Sequence, residues 1–175
     1  MERPLLILDL DETLIYGTVE PLPIKHDFKC GGFFIHKRPF VDQFISSVAQ
    51  LYDLAVWTSS TMDYARCIAD VLFDGVDLKF LWARDRCIRR FDSELQEHYW
   101  VKDLNKVKRI GFALERILVV DDTPEKLERN YGSLIVVRAF EGDADDRELL
   151  NLKDYVAGLV GEPDFRVMEK RMWRQ

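Results

Sequence analysis

The sequence predicts an α/β fold: a mainly parallel, Rossmann-like sheet flanked by helices. Three observations carry this. Apolar runs that are continuous rather than alternating recur at Leu5 to Leu8, Leu54 to Trp57, Ile117 to Val120 and Leu134 to Val137, the pattern of strands buried on both faces. Helix-spaced segments lie between them, as a parallel sheet requires. Three of the four runs also end in reactive side chains, at the strand ends where open α/β sheets bind ligands.

The helices follow in order. Phe40, Val41, Phe44, Ile45, Val48 and Leu51 keep helical spacing directly after Arg38-Pro39. Met62, Ala65, Cys67, Ile68 and Leu72 mark a second helix, with Ser60 or Thr61 placed to cap it. Residues 76–101 break the rhythm: Leu78 to Trp82, Cys87 to Phe91 and His98 to Val101 read as short strands of a small β insert. A third helix is expected from Thr123-Pro124-Glu125, with a capping hydroxyl and proline in the first turn. Residues 143–160 read as a helix rich in acid at its start, and 164–173 as a closing amphipathic segment. The expectation is one domain over 1–175 with the insert at about 76–101.

A chain of 175 residues buries enough surface to need no stapling by disulfide or metal. Its net charge of −6 argues against holding nucleic acid, which draws affinity from neutralised phosphates. Cys30, Cys67 and Cys87 are odd in number and form no CxxC pair, so free thiols in a reducing compartment are expected. Leu5 to Leu8 is too short for a signal peptide's apolar region, and no run approaches a membrane span. These readings place the protein in the cytoplasm, or the nucleus of a eukaryote, with no membrane partner; they set no oligomeric state.

The strand ends hold the chemistry. Asp9 and Asp11 leave the first run two residues apart, so both can face one pocket. Asp121 and Asp122 approach from another strand end. Acids gathered this closely repel and call for a cation, and an all-oxygen site suits Mg²⁺. Thr58, Ser59 and Ser60 end a strand and begin a helix, where hydroxyls and N–H groups can cradle phosphate. Lys102 stands at an apparent helix start, where the helix dipole gives it no support.

Asp9-Leu10-Asp11-Glu12-Thr13 resembles the DxDxT signature of haloacid dehalogenase-superfamily phosphatases. The resemblance narrows to the NLI-interacting-factor-like branch, which includes phosphatases of the RNA polymerase II C-terminal domain. Lys37-Arg38-Pro39-Phe40 is similar to its KRPG segment, Val56-Trp57-Thr58-Ser59-Ser60 to its second motif, and Arg84-Asp85-Arg86-Cys87 to its RExC. Trp100-Val101-Lys102-Asp103-Leu104 resembles YVKDL, Asp121-Asp122-Thr123-Pro124 resembles D-[DN]-S-P, and Asp146-Arg147-Glu148-Leu149 resembles D-x-EL. The chain departs at Thr123 (usually serine), Ser59 (often alanine) and Phe40 (glycine).

The resemblance implies that Asp9 takes the phosphoryl group and that Asp11 serves as acid and then base. Thr58 would hold a phosphate oxygen and Lys102 would offset charge. Mg²⁺ would sit on Asp9, the Asp11 carbonyl and Asp122, with Asp121 a direct or supporting group. A receiver domain uses similar parts in a different order. Residues 15 to 37 are too few for a helical cap, which leaves the rim open to a phosphorylated protein or peptide. A small-molecule phosphatase and a non-catalytic phosphoprotein-binding module are the alternatives. Arg84 and Arg86 flank the insert and could meet substrate. Residues 84–109 hold eight Lys or Arg against five acids, a local +3 that favours a phosphorylated partner despite the overall charge.

Overall fold

The five apolar runs that include Leu78 to Trp82 become one parallel sheet in the computed structural model, which describes residues 3–174. β1 (Leu5–Leu8) lies at its centre, with β5 (Asp53–Trp57) and edge strand β6 (Leu78–Trp82) on one side. On the other lie β9 (Ile117–Asp121) and β10 (Leu134–Val136). Leu8 pairs with both Val56 and Val120, so the three inner strands end in line. That register brings Asp9, Thr58 and Asp121 to one rim.

Side-chain alternation splits the core into two faces. Leu6, Leu8, Val56, Leu118 and Val120 pack under α1 (Val41–Val48), α2 (Met62–Leu72) and α4 (Glu148–Leu159). Leu5, Ile7, Ala55, Trp57 and Val119 pack with Trp82, Leu127 and residues around α3 (Asn105–Lys108). The Trp57 and Trp82 rings meet edge to face at 4.9 Å, a packing contact within this second layer.

Several expectations are corrected. Leu78–Trp82 is not part of the insert but pairs in parallel with β5; its half-exposed residues reflect its place at the sheet edge. The antiparallel hairpin beyond it is β7 (Ile88–Asp92) and β8 (Glu97–Val101). Residues 15–37 form an unanticipated antiparallel sheet, in the order β2 (Ile15–Thr18), β4 (Phe33–Lys37), β3 (Phe28–Cys30). The segment from Thr123 is a single 3₁₀ turn, Pro124–Leu127. The last helix begins at Glu148 rather than 143, because the Asp143 and Asp146 carboxylates accept backbone N–H groups two residues on and hold turns there. The closing segment is a 3₁₀ turn and further turns, docked by buried Phe165 and Trp173.

The cysteines are not all free. Cys30 at the end of β3 and Cys67 in α2 form a disulfide, with a Cα–Cα distance of 5.8 Å; only buried Cys87 is a thiol. Two cysteines 37 residues apart show no pairing signal in sequence, because the sheet that brings Cys30 over α2 was itself unread. The expected reducing compartment thereby loses its support. Among the described residues no helix is long and apolar enough to cross a membrane.

Candidate functional site

The turn after β1 sets the acids. The amides of Thr13, Leu14 and Ile15 all point to the Leu10 carbonyl, and Glu12 takes a left-handed φ of 61°. Its carbonyl accepts the Phe140 amide at 2.8 Å. The Arg38 guanidinium, itself buried, donates to the Thr13 carbonyl at 3.0 Å and to both Asp146 oxygens at 2.9 and 2.8 Å. Bidentate pairs of this kind fix geometry as well as charge. Burial opposes the Asp146 charge, yet the Arg38 hydrogen bonds hold its carboxyl below the usual range. Two motifs far apart in sequence therefore clamp the turn that carries Asp9 and Asp11. Phe40, where the family motif has glycine, also keeps a left-handed φ of 67°, and the Arg147 guanidinium lies 5.7 Å from its ring.

The buried Asp9 follows Leu8 and faces the end of β9. Carboxylate oxygens of Asp9, Asp121 and Asp122 all lie within 4.8 Å of one another. Lys102, brought in by β8 and fully buried, donates to Asp9 Oδ1 at 2.8 Å and Asp121 Oδ2 at 2.6 Å. Burial opposes all these charges. For Lys102 the attraction of Asp121 and Asp9 wins, and its pKa is raised. For Asp9 the attraction of Lys102 and Lys126 wins, and its pKa is lowered. For Asp122 the balance is reversed: burial and then the Asp9 charge outweigh the pull of Lys126 and push it up to about 7. Thr13 Oγ1 lies between Asp9 Oδ2 and Asp122 Oδ1, at 3.2 and 3.4 Å.

Lys126 is a site residue the sequence reading missed. Its ammonium lies 3.7 Å from Asp9 Oδ2 and 3.6 Å from Asp121 Oδ1. Burial opposes its charge, but Asp9 and Asp121 outweigh that and raise its pKa.

Asp11 sits apart from this cluster. Its carboxylate accepts the Ser60 hydroxyl and the Tyr64 hydroxyl, each at 2.7 Å. Burial raises its pKa, against the opposing pull of both bonds. Ser60 was read only as a cap or cradle and Tyr64 not at all, although hydroxyls four residues apart at a helix start can reach one point. The Tyr64 hydroxyl abuts Gly17 in β2, where any side chain would collide with it. The Phe33 ring meets the Tyr64 ring at 5.1 Å, and the Cys30–Cys67 bond ties the small sheet to α2.

The remaining residues line the rim. Thr58 is buried, and its hydroxyl accepts the Ser60 amide at 3.1 Å. Ser59 is half-buried, and its carbonyl accepts Arg84 Nε at 2.7 Å. The exposed Arg84 guanidinium also lies 5.2 Å from the Trp100 ring centre, while Arg86 lies over Trp82 instead. A groove of about 490 Å³, lined by Met62, Arg84, Arg89 and Trp100 among others, runs beside this rim.

Residues 4–166 match the family model for NLI interacting factor-like phosphatases. A probable C-terminal domain small phosphatase of Dictyostelium discoideum is 29% identical, over 93% of this chain and 53% of its own length. A CTD small phosphatase-like protein of Homo sapiens is 28% identical, over 95% and 59%. The chain thus spans somewhat more than half the length of these two. The CTD nuclear envelope phosphatase 1 homolog of Drosophila melanogaster is 32% identical, over 98% of this chain and 73% of its own. The fission yeast RNA polymerase II CTD phosphatase Fcp1, bound to beryllium fluoride, shares the fold. Its TM-score is 0.60 at 23% identity, over 90% of this chain and 50% of that one. With the family match running through both acidic strand ends and both halves of the Arg38–Asp146 clamp, this chain belongs to the NLI interacting factor-like phosphatase family.

Proposed function

We propose that this chain is a Mg²⁺-dependent phosphomonoester hydrolase that works through an aspartyl phosphate on Asp9, carried by a single domain over 1–175. One observation carries the reading: two carboxylates from one turn sit in opposite electrostatic settings. Asp9 is held ionised by Lys102 and Lys126, whereas Asp11 is pushed toward its protonated form. Such a split separates a nucleophile from an acid–base group.

In the first step an Asp9 oxygen attacks phosphorus, the ester P–O bond breaks, and Asp11 gives its proton to the leaving oxygen. In the second, Asp11 takes a proton from water as that water attacks the phosphoaspartate, releasing phosphate and restoring Asp9. Tyr64 and Ser60 hold the Asp11 carboxylate in place for both transfers. Lys102 keeps Asp9 ionised and oriented. Thr58 and Ser59 would meet phosphate oxygens, with Arg84 at the rim for the rest of the substrate.

The donor set fits Mg²⁺: hard oxygen ligands with an unbalanced negative charge. Asp9, Asp122 and the Asp11 carbonyl would hold it. Both Asp121 oxygens are already engaged, by Lys102 and by the Thr123 amide, which supports a role for Asp121 in positioning Lys102. When bound, the ion would supply positive charge to the phosphoryl oxygens.

We further propose a phosphoserine or phosphothreonine protein segment as substrate, supported by the groove beside Arg84 and the local +3 of residues 84–109. The net charge of −6 counts against nucleic acid as a partner. Phosphate release from an aryl phosphate should require Mg²⁺ and vanish in Asp9→Asn; wild-type turnover by that variant refutes the nucleophile. Comparing kcat/KM for phosphopeptides with that for sugar and nucleotide monophosphates tests the substrate, and uniformly poor peptide turnover refutes it.

A further inference from the structure

Lys102 and Lys126 divide the oxygens of two carboxylates between them. Lys102 takes Asp9 Oδ1 and Asp121 Oδ2, while Lys126 faces Asp9 Oδ2 and Asp121 Oδ1. The Lys102 amide also donates to the Lys126 carbonyl at 2.7 Å, so the two lysines are held side by side. Their contacts differ in kind. Lys102 makes tight charge-assisted bonds of 2.6–2.8 Å, whereas Lys126 stands off at 3.6–3.7 Å, beyond hydrogen-bond range. An ammonium on a flexible four-carbon stem, held only by loose ion pairing, can be displaced.

The side it occupies matters. Asp9 Oδ2 is the oxygen turned toward Asp122, since Thr13 Oγ1 lies between the two. Asp9 is only 1% exposed, although a metal and a substrate must both reach it. The Lys126 side chain is 17% exposed, whereas Lys102 is fully buried, so of the two lysines Lys126 is the one in reach of solvent.

We infer that the Lys126 ammonium is a tethered counter-ion on the metal-facing side of the cluster, balancing Asp9 and Asp121 until Mg²⁺ binds and opposing Mg²⁺ at Asp9 Oδ2. It is a positioning residue that sets how tightly the ion is held. This rests on the Mg²⁺ reading above. The sign of the effect separates it from a structural role: losing a structural support weakens metal binding, whereas losing a competing cation strengthens it.

The test is Mg²⁺ titration by calorimetry, with no substrate, on wild type, Lys126→Met, Lys126→Gln and Lys126→Arg. The two neutral variants should bind Mg²⁺ at least about tenfold more tightly, since a nearby like charge opposes the ion by about that much even with water-like screening and these acids are buried. Their metal-free Tm should fall and their Mg²⁺-induced Tm rise should grow, while Lys126→Arg stays near wild type. If Lys126→Met does not fold without metal, Lys126→Gln carries the same test. Equal or weaker Mg²⁺ binding by the neutral variants, with wild type still binding, overturns the lysine inference alone. Absence of Mg²⁺ binding by wild type and neutral variants alike overturns the metal reading and this inference with it.

Discussion

Replacing Lys102 by Met separates what the acid cluster requires for folding from what it requires for chemistry. Methionine keeps the length of the side chain and removes its charge. It leaves Asp9 and Asp121, each at most 1% exposed, with the loose contacts of Lys126 at 3.6–3.7 Å as their ion pairing. Removing one partner of a buried pair typically costs about 3–5 kcal/mol, against a total stability of roughly 5–15 kcal/mol. For a chain of this size that is a fall in Tm of roughly 6–20 °C. Asp9→Asn should behave differently. It removes one of three crowded carboxylates while the 2.6 Å Lys102–Asp121 pair survives, so a loss of about 1 kcal/mol or less is expected. Both variants should lose phosphatase turnover, but only the lysine variant should lose several kcal/mol of stability.

The pH dependence follows from the same contacts. In wild type Asp9 has a folded pKa below its ordinary 3.8, so its pairing stabilises above about pH 4 and is lost as pH falls through the folded value. In Lys102→Met that support is gone and the acid cluster ionises at a higher pH. The deficit against wild type should therefore shrink as pH is lowered from 7.5 to 5, where the acids can take up protons. Urea unfolding with a chelator present, at pH 7.5, 6 and 5, measures this. A deficit under about 1 kcal/mol, or one that does not change with pH, refutes the reasoning.

Because the pKa of Asp122 is pushed up to about 7, ionising it costs stability as pH rises from about 4 to 7. In metal-free protein, the gain from Asp122→Asn in urea unfolding should be larger at pH 8 than at pH 5 by on the order of 1–2 kcal/mol, discounted for its partial exposure; an equal gain at both pH values counts against it. Tyr64→Phe removes a bond to ionised Asp11 that is worth roughly 1.5–3 kcal/mol, so the alkaline limb of kcat/KM, where the Asp11 proton is lost, should move up by about one to two pH units. An unmoved limb would show that Asp11 is not the group titrating. Replacing Cys30 and Cys67 together by Ser opens a loop of 37 residues and should lower stability by about 2–4 kcal/mol, seen as a lower Tm without reductant. An unchanged Tm would remove the disulfide from the folded state.

What could be read from the sequence was local. β1, β5 and β9 are continuous apolar runs because both faces are buried, and each ends abruptly in polar residues because the sheet ends at solvent. A parallel sheet then forces those ends to one rim, so Asp9, Thr58 and Asp121 could be grouped before any contact was known. The pairing of Arg38 with Asp146 was less visible. Both lie in recognisable motifs, but only the fold shows that they act on each other and on the turn carrying Asp9 and Asp11.

The unread parts depend on contacts between segments that carry no strong pattern themselves. β2, β3 and β4 are three to five residues long, with mixed burial, so neither alternation nor a continuous run marks them. Once that sheet is missed, Gly17, Tyr64 and the Cys30–Cys67 bond lose their common explanation, which is the support of Asp11. Lys126 is the sharper case. Beside Glu125 in a short turn it looks like any solvated lysine. It becomes a site residue only because β8 returns Lys102 to its backbone and β9 places Asp121 beneath its ammonium. Three clustered acids with one lysine would leave a net −2, whereas the second lysine makes it −1, so the chain itself supplies part of the charge that a cation would otherwise bring. The acids at the strand ends therefore announce that a cation is needed, but the fold determines how much of that charge the chain supplies itself.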